Sequence, residues 1–418
     1  MIAVLSQGCA ANFGDGEKIA KLLSQGNIPG PVIFEFPSTA PHVFYLNVCT
    51  VKGNATAIKL IRKAHETYPL VPIFVTGCTT KDLIEEVGKS LPQVKFTSLK
   101  DLCHHSIFKI SEQKVLFTNT LRASNFTGIV NIEEGCLDAC AFCSTHLVKG
   151  RLRSFPEPLI LEQVKRLVLD GCKEIQLTGQ DCGCYGFDTG TNLAQLVQNI
   201  LVHVPGDYKI RLGMGNPRHV LQYKDQLLEC FQDERVYKFM HLPVQSGSEK
   251  VLQLMNRRHT VQDYADLAGE IYKRFSRFTL STDLIVGFPG ETDKDFEQTL
   301  NILRQTRPTV CNITRFVSRP QTPAARFAGT SQEVPDSLKH IRSARLSEEF
   351  QKIALENNRQ WIGWKGSVVM EKSGYREGTS IGRNFAFRPV AIATDLKPGK
   401  KIQVTITDAE PFALIGQI

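Results

Sequence analysis

Cys136, Cys140 and Cys143 form a CxxxCxxC triplet that directly follows the strand-like run 128–132. The chain must therefore deliver three thiols from one short loop at the end of a strand. Three thiolates so placed hold three irons of a [4Fe-4S] cube and leave the fourth iron without a protein ligand. That open iron is where chemistry takes place. A structural zinc site demands a fourth ligand nearby, and His146, three residues after Cys143, is the candidate for this other reading.

A second set follows the same logic. Cys9, Cys49 and Cys78 each come after an apolar run, at 2–5, 43–46 and 73–75. In a parallel α/β sheet the carboxyl ends of the strands point one way, so these three loops converge at one edge and offer a second cluster site. No pair among them has CxxC spacing, and the alternative is three buried cysteines that never meet.

The chain has 418 residues, room for two to three domains, and twelve cysteines. Its amino terminus lacks a basic region and a cleavage site, and no apolar run approaches the ~20 residues of a membrane span. A cytoplasmic protein is expected, with no membrane partner. In that compartment thiols stay reduced, which points to metal or redox work rather than disulfides. Of the other cysteines, Cys103, Cys172, Cys230 and Cys311 read mostly as core filler. Cys182 and Cys184 flank one glycine beside an expected cofactor loop and stay unassigned. The formal charge of +8 agrees with a polyanionic partner.

Residues 1–115 alternate strand-like runs at 2–5, 43–48 and 73–76 with helical patterns at 17–23, 56–66 and 81–87. This predicts a small doubly wound parallel sheet. A polar stretch at 116–126 reads as a linker. A second alternating series fills 122–358, with strands expected at 128–132, 174–178, 209–213, 239–244, 279–286 and 310–316. Six strand–helix units without a clear seventh and eighth predict a partial (β/α)6 barrel whose active site gathers at the strand carboxyl ends. Ser154 and Glu157, with Pro156 between them, have capping-box spacing before a helix whose Ile160, Leu161, Val164, Leu167 and Val168 form one stripe. Residues 338–358 read as a charged helix.

From Trp361 onward, short alternating runs at 366–370, 390–394 and 402–406 predict a small antiparallel β-barrel over 359–418. Such barrels bind nucleic acid through basic and aromatic surface residues, and Arg376, Arg383, Phe385, Phe387 and Arg388 cluster here. The other reading packs both phenylalanines inside and leaves the arginines solvated.

The stretches Arg211-Leu-Gly-Met-Gly-Asn-Pro217, Leu242-Pro-Val-Gln-Ser-Gly-Ser248, Thr282-Asp-Leu-Ile-Val-Gly-Phe-Pro-Gly-Glu-Thr-Asp293 and Arg319-Pro-Gln-Thr-Pro-Ala-Ala325 join the two cysteine sets in one pattern. The chain resembles the radical S-adenosylmethionine (SAM) methylthiotransferases, and among them the archaeal and eukaryotic enzymes acting on threonylcarbamoyladenosine in tRNA. The resemblance runs nearly end to end, through an α/β amino-terminal domain (1–115), a radical SAM barrel (122–358) and a small TRAM barrel (359–418). It departs at Ala-Ala-Asn-Phe-Gly-Asp after Cys9, less polar than usual, and at Gln321, where glycine is common.

The resemblance implies two [4Fe-4S] clusters, SAM, a tRNA partner and an electron donor such as ferredoxin or flavodoxin. One SAM methylates a sulfur species at the cluster of Cys9, Cys49 and Cys78. A second, bound at the open iron of the Cys136, Cys140 and Cys143 cluster, yields a 5′-deoxyadenosyl radical that takes hydrogen from carbon 2 of the adenine at tRNA position 37. That C–H carries no acidic proton, so the cofactors bear the hard step and no side chain is a catalytic acid or base. Gly179 and Gln180 match the loop that meets the SAM amino group, Gln245, Ser246 and Asp283 the ribose contacts, and Arg257 the carboxylate contact. Gly287 to Gly290 would lie along the adenine. The threonylcarbamoyl carboxylate makes Arg315 and Arg319 candidates for substrate contact, and Arg383 and Arg388 candidates for RNA contact. The other functions open at this point are a non-catalytic iron–sulfur or zinc RNA-binding protein, and a methylthiotransferase for isopentenyladenosine or a ribosomal protein.

Overall fold

Long apolar runs without polar alternation belong in a sheet covered on both faces, and the first such runs pair in that way. In a computed structural model describing residues 1–25, 30–50, 54–99, 101–102, 121–374 and 376–418, the first sheet is wholly parallel. Its strands are β1 (Ile2–Ser6), β2 (Val32–Ile33), β3 (Val43–Cys49), β4 (Ile73–Cys78) and β5 (Lys95–Phe96), in the order β2-β1-β3-β4-β5. Helix Ala10–Ser24 lays Ile19 and Ala20 against Val4 and Tyr45. Helices Asn54–Thr67 and Lys81–Ser90 cover the other face with Ile61, Leu83 and Val87. The predicted doubly wound sheet is present, with β2 and β5 as additional two-residue edges. Cys103 and residues 116–120 of the expected linker lie outside the described residues.

The same compact unit continues with β6 (Thr127–Asn131), the short antiparallel pair β7 (Glu133–Glu134) and β8 (Arg153–Ser154), and β9 (Glu174–Thr178), which runs parallel to β6. Helix Glu157–Leu169 buries Ile160, Val164 and Leu167 as the stripe predicts. Ser154 is held in β8 opposite Glu133, and the helix starts after Pro156 with no side-chain cap. This unit comprises Met1–Ala139, Cys143–Gln180 and Arg319–Thr322; Cys140–Phe142, Asp181–Ser318 and Pro323–Ile418 make the second.

In the second unit β10 (Lys209–Leu212) is followed by β11 (Phe239–His241), β12 (Thr279–Val286) and β13 (Val310–Arg315), the last three mutually parallel. The run expected at 239–244 stops at His241 because Pro243 has no N–H for a ladder, and contact resumes where Gln245 bridges Leu284. Full capping boxes, Thr260 with Asp263 and Thr292 with Asp295, start helices Val261–Arg274 and Asp293–Thr306. Helix Asp336–Arg359 leads into a closed barrel of β14 (Lys365–Ser373), β15 (Ser380–Arg383), β16 (Pro389–Ile392), β17 (Lys401–Glu410) and β18 (Ala413–Gln417), in the order β14-β15-β16-β18-β17. Its pairs are antiparallel, as expected, except β16 with β18, which run parallel because the chain crosses over through β17 between them. Val368, Met370, Val390, Ile392, Val404 and Leu414 fill it. The barrel meets the amino ends of β11 and β12, where Lys238 N donates to Phe385 O (2.9 Å) and Thr279 Oγ1 to Ala386 O (2.6 Å). No helix among the described residues is long and apolar enough to cross a membrane.

Candidate cluster and SAM site

The first sheet brings Cys9, Cys49 and Cys78 together at its carboxyl edge. Cys49 and Cys78 end β3 and β4 as direct register partners, and Cys9 caps helix Ala10–Ser24 just after β1. Gly8 precedes Cys9 with φ +107°, and a Cβ there would lie 2.4 Å from Cys49 Cβ. Only glycine allows that approach. Asn12 Nδ2 donates to the carbonyls of Gln7 (2.6 Å), Asn47 (3.0 Å) and Val48 (3.2 Å), tying the ends of β1 and β3 to the start of the helix. A hydrogen bond from Cys49, then burial, pushes the Cys78 thiol up, and burial followed by the nearness of Cys49 raises Cys9. Thiols crowded in this way ionise readily only when a cation replaces their protons, which is the behaviour of a metal-ligating set.

The triplet loop is anchored along its length. Cys136 N donates to Gly150 O (3.2 Å) and Asp138 N to Cys136 Sγ (3.4 Å), an N–H to sulfur bond that suits a thiolate ligand. Further along, Ala141 N donates to Met255 O (2.9 Å) and Ala324 N to Ala141 O (2.9 Å). Gly135 has φ +86°, and a Cβ there would strike Arg151 O.

The proposed SAM residues fall into two groups. In the first unit Gly179 faces the Glu133 side chain, and Gln180 Oε1 accepts from Gly135 N (2.7 Å), so the loop after β9 is fastened to the start of the cysteine loop. In the second, Arg257 Nη1 lies 3.6 Å from Cys140 Sγ while Nη2 donates to Pro243 O (2.7 Å). Its Nε is buried without a hydrogen-bond partner among the described residues, as is Gln245 Oε1. Gln245 has φ +75°, costly for a side-chain-bearing residue, while its backbone pairs with Asp283 O and Ile285 N. Buried unmet donors and acceptors beside a cluster cysteine fit a polar ligand such as SAM. Ser246 Oγ pairs with Thr299 Oγ1 (3.3 Å) and Asp283 with His241 (2.9 Å) and Asn312 (2.7 Å), so both already serve the strand ends. Gly287 packs its bare Cα against the Lys339 side chain.

Arg315, exposed at the end of β13, is hydrogen-bonded to His340. Burial lowers the half-buried Arg319, and Asp82 partly offsets this. Arg383 pairs with Glu371 (2.8 Å) and lies 4.5 Å over the Phe387 ring; Arg388 is buried. Phe387 packs on Tyr237 and Phe239, and Phe385 on Trp361 and Trp364, so both phenylalanines are partly buried against aromatic neighbours.

Two features escape sequence reading. Asp15 bonds Lys149 (3.0 Å), Lys18 (3.4 Å) and Asn131 (3.0 Å) beside a polar cavity of about 190 Å³. Burial alone would raise Asp15, but Lys149 and then Lys18 outweigh it and hold the carboxyl below its usual range. Lys149 is also near enough to Cys78 to interact with it electrostatically, so the helix after the triplet contributes a cation to the auxiliary cradle. Residues so far apart in sequence give no local signal. The second feature is Asp181, Cys184 and His219, whose donor atoms lie within 4.8 Å of one another. Asp181 Oδ1 accepts from Gly183 N (3.1 Å) and Asn216 N (2.9 Å) and Oδ2 meets His219 Nδ1 (2.9 Å), an arrangement that shapes the loop after Gln180.

Residues 130–303 match the radical SAM superfamily and residues 1–98 the uncharacterized protein family UPF0004. A probable threonylcarbamoyladenosine tRNA methylthiotransferase from Archaeoglobus fulgidus is 33% identical, over 100% of this chain and 98% of the relative. The Danio rerio threonylcarbamoyladenosine tRNA methylthiotransferase is 31% identical, over 98% of this chain and 77% of its own. Among solved structures, the radical S-adenosylmethionine methyltransferase TsrM from Kitasatospora setae aligns with TM-score 0.53 at 10% identity, covering 91% of this chain and 80% of that one. That likeness extends the strand–helix architecture described above to a solved radical SAM fold. With both cysteine sets at strand carboxyl ends and full-length similarity on either side of them, the chain belongs to the threonylcarbamoyladenosine tRNA methylthiotransferase family of radical SAM proteins.

Proposed function

We propose that this protein converts N6-threonylcarbamoyladenosine in tRNA to its 2-methylthio derivative. The observation that carries this reading is the second three-thiol set, with Cys49 and Cys78 in register and Cys9 against them, because plain SAM cleavage needs only the triplet. When bound, the two [4Fe-4S] clusters and SAM supply the one-electron chemistry and the methylthio group. The chain's own residues position these groups. Cys136, Cys140 and Cys143 ligate one cluster and Cys9, Cys49 and Cys78 the other, while Arg257 and Gln245 hold the SAM carboxylate and ribose. Gln180 fixes the loop that meets the SAM amino group. Arg315, exposed and steadied by His340, receives the threonylcarbamoyl carboxylate, a contact that an isopentenyl group does not make. The protein works in the cytoplasm with a ferredoxin- or flavodoxin-like electron donor.

Anaerobic reconstitution with nucleoside mass spectrometry tests this. Triple alanine replacement of Cys136, Cys140 and Cys143 is expected to abolish SAM cleavage yet leave tRNA binding. Cys49→Ala should keep reductive SAM cleavage and yield no 2-methylthio nucleoside. Methylthiolation persisting in Cys49→Ala would refute the two-cluster assignment.

A further inference from the structure

A cleft of about 600 Å³ opens at the amino ends of β12 and β13, lined by Tyr272, Arg277, Arg307, Gln360, Trp361 and Arg388 among others. Gln245 and Arg315 belong to the opposite strand ends, and no residue assigned above to a cluster or to SAM lines this cleft. Among the described residues no aspartate or glutamate lines it either, whereas three guanidinium groups do.

Two of those groups have no acidic partner among the described residues. Arg388, just before β16, is 5% exposed, and its Nε has no hydrogen-bond partner among the described residues. Its guanidinium lies 6.0 Å from the Trp361 ring centre, and exposed Arg277 lies 5.1 Å over the same ring. Arg307 differs, being paired with Glu356. A buried cation without a counter-charge is costly, and contact with an indole face repays only part of that cost. Burial accordingly pushes Arg388 down to about 10, so it still carries its charge at neutral pH. A structural arginine would be expected to face a carboxylate, as Arg342 does with Glu291 (3.2 Å) in this same unit.

The geometry points to a phosphate-binding cleft in which Arg388 and Arg277 fork onto one phosphoryl group above Trp361. Guanidinium groups match phosphate oxygens in paired hydrogen bonds, and the cleft is the size of a pocket for a small organic ligand rather than for a bare ion. A phosphodiester of an RNA backbone and a free phosphate compound share this chemistry. The RNA source rests on the function proposed above; the phosphate chemistry does not.

The chain has two tryptophans, Trp361 and Trp364, with ring centres 5.5 Å apart, so intrinsic fluorescence reports on this cleft. Inorganic phosphate titrated into the reconstituted full-length protein should give a saturable emission change. In Arg277→Gln the apparent affinity should fall roughly tenfold, the usual weight of one charged hydrogen bond, with SAM cleavage unchanged. Arg388→Gln should act likewise, but removes a buried group; Arg277 is exposed, so its variant carries the test even where Arg388→Gln folds poorly. No saturable response in the wild type, or an undiminished one in Arg277→Gln, would overturn the site. An unmodified tRNA transcript then separates the sources. If the cleft takes RNA, the salt dependence of tRNA binding loses about one unit of log–log slope in Arg277→Gln. An unchanged slope together with a lost phosphate response identifies a free phosphate compound. Absence of SAM cleavage in the wild type would count against the methylthiotransferase reading alone, since the phosphate titration does not depend on it.

Discussion

Glu17 shows how one buried carboxyl shapes behaviour in solution. It is 4% exposed, accepts a hydrogen bond from Ala123 N (3.1 Å) and is pushed up to about 7 by burial, against which Ala123 and the charges of Arg122 and Lys18 pull only partly. The folded state therefore prefers the protonated acid. Its contribution is fully present below the unfolded value near 4.5, declines as pH rises, and levels off above about 7. Glu17→Gln keeps an acceptor for Ala123 and removes the titration. Its thermal midpoint should exceed the wild type's increasingly from pH 5.5 to 7.5, approaching a difference of about 3 kcal/mol in stability; a difference that stays flat with pH would contradict the account. Arg257 tests the site at the same scale. With Nη1 beside Cys140 and Nε unmet, Arg257→Gln should retain bound iron but raise the KM for SAM about tenfold or more, measured as 5′-deoxyadenosine release. Loss of iron instead would assign Arg257 to the cluster loop's fold.

Among the elements, the loop from β7 to the triplet depends on Gly135, whose φ of +86° and closeness to Arg151 O exclude a side chain. Gly135→Ala should displace the first ligand, Cys136, and lose about half of the bound iron, the share of one of two similar clusters. SAM cleavage would disappear with it, while iron held by the first sheet stays. Full iron content would show that the turn is not critical. This loop's cysteines are legible in sequence, its geometry is not. The strands β1, β3, β4 and β12 are readable because continuous apolar runs have few other ways to be buried. β2, β5 and β15 are two to four residues long, too short to set a period, and exist because a neighbouring strand offers its edge. Ser154 likewise sits in the two-residue β8 because Glu133 offers its edge, a pairing that capping-box spacing does not announce. Gln245's positive φ and the Asp15–Lys149 pair are products of tertiary structure and leave no pattern to read.

Across the second unit, the small barrel is packed against the amino ends of β11 and β12. Its Phe387 ring packs 4.9 Å from Tyr237 and 5.1 Å from Phe239, which are 2% and 5% exposed, and its backbone takes hydrogen bonds from Lys238 N and Thr279 Oγ1. Asn358 Nδ2 adds bonds to the carbonyls of Glu410 (2.6 Å) and Pro411 (3.1 Å). Sequence texture marks this barrel correctly but leaves open whether its arginines and phenylalanines face outward or pack inside, because alternation identifies a strand's buried side without saying what covers the other. Ending the chain after Arg359 would bare the Tyr237 and Phe239 faces, at roughly 2 kcal/mol for each aromatic side chain, and would leave Lys238 N without its acceptor. Against a typical net stability of about 5–15 kcal/mol, that is enough to loosen β11 and β12, whose far ends carry Gln245 and Asp283. The truncated protein should melt several degrees lower and cleave SAM poorly even without tRNA, in a reconstituted assay that needs no RNA at all. A detachable clamp makes the opposite prediction, with SAM cleavage and melting unchanged and tRNA affinity alone reduced, so the RNA-free assay decides between the two.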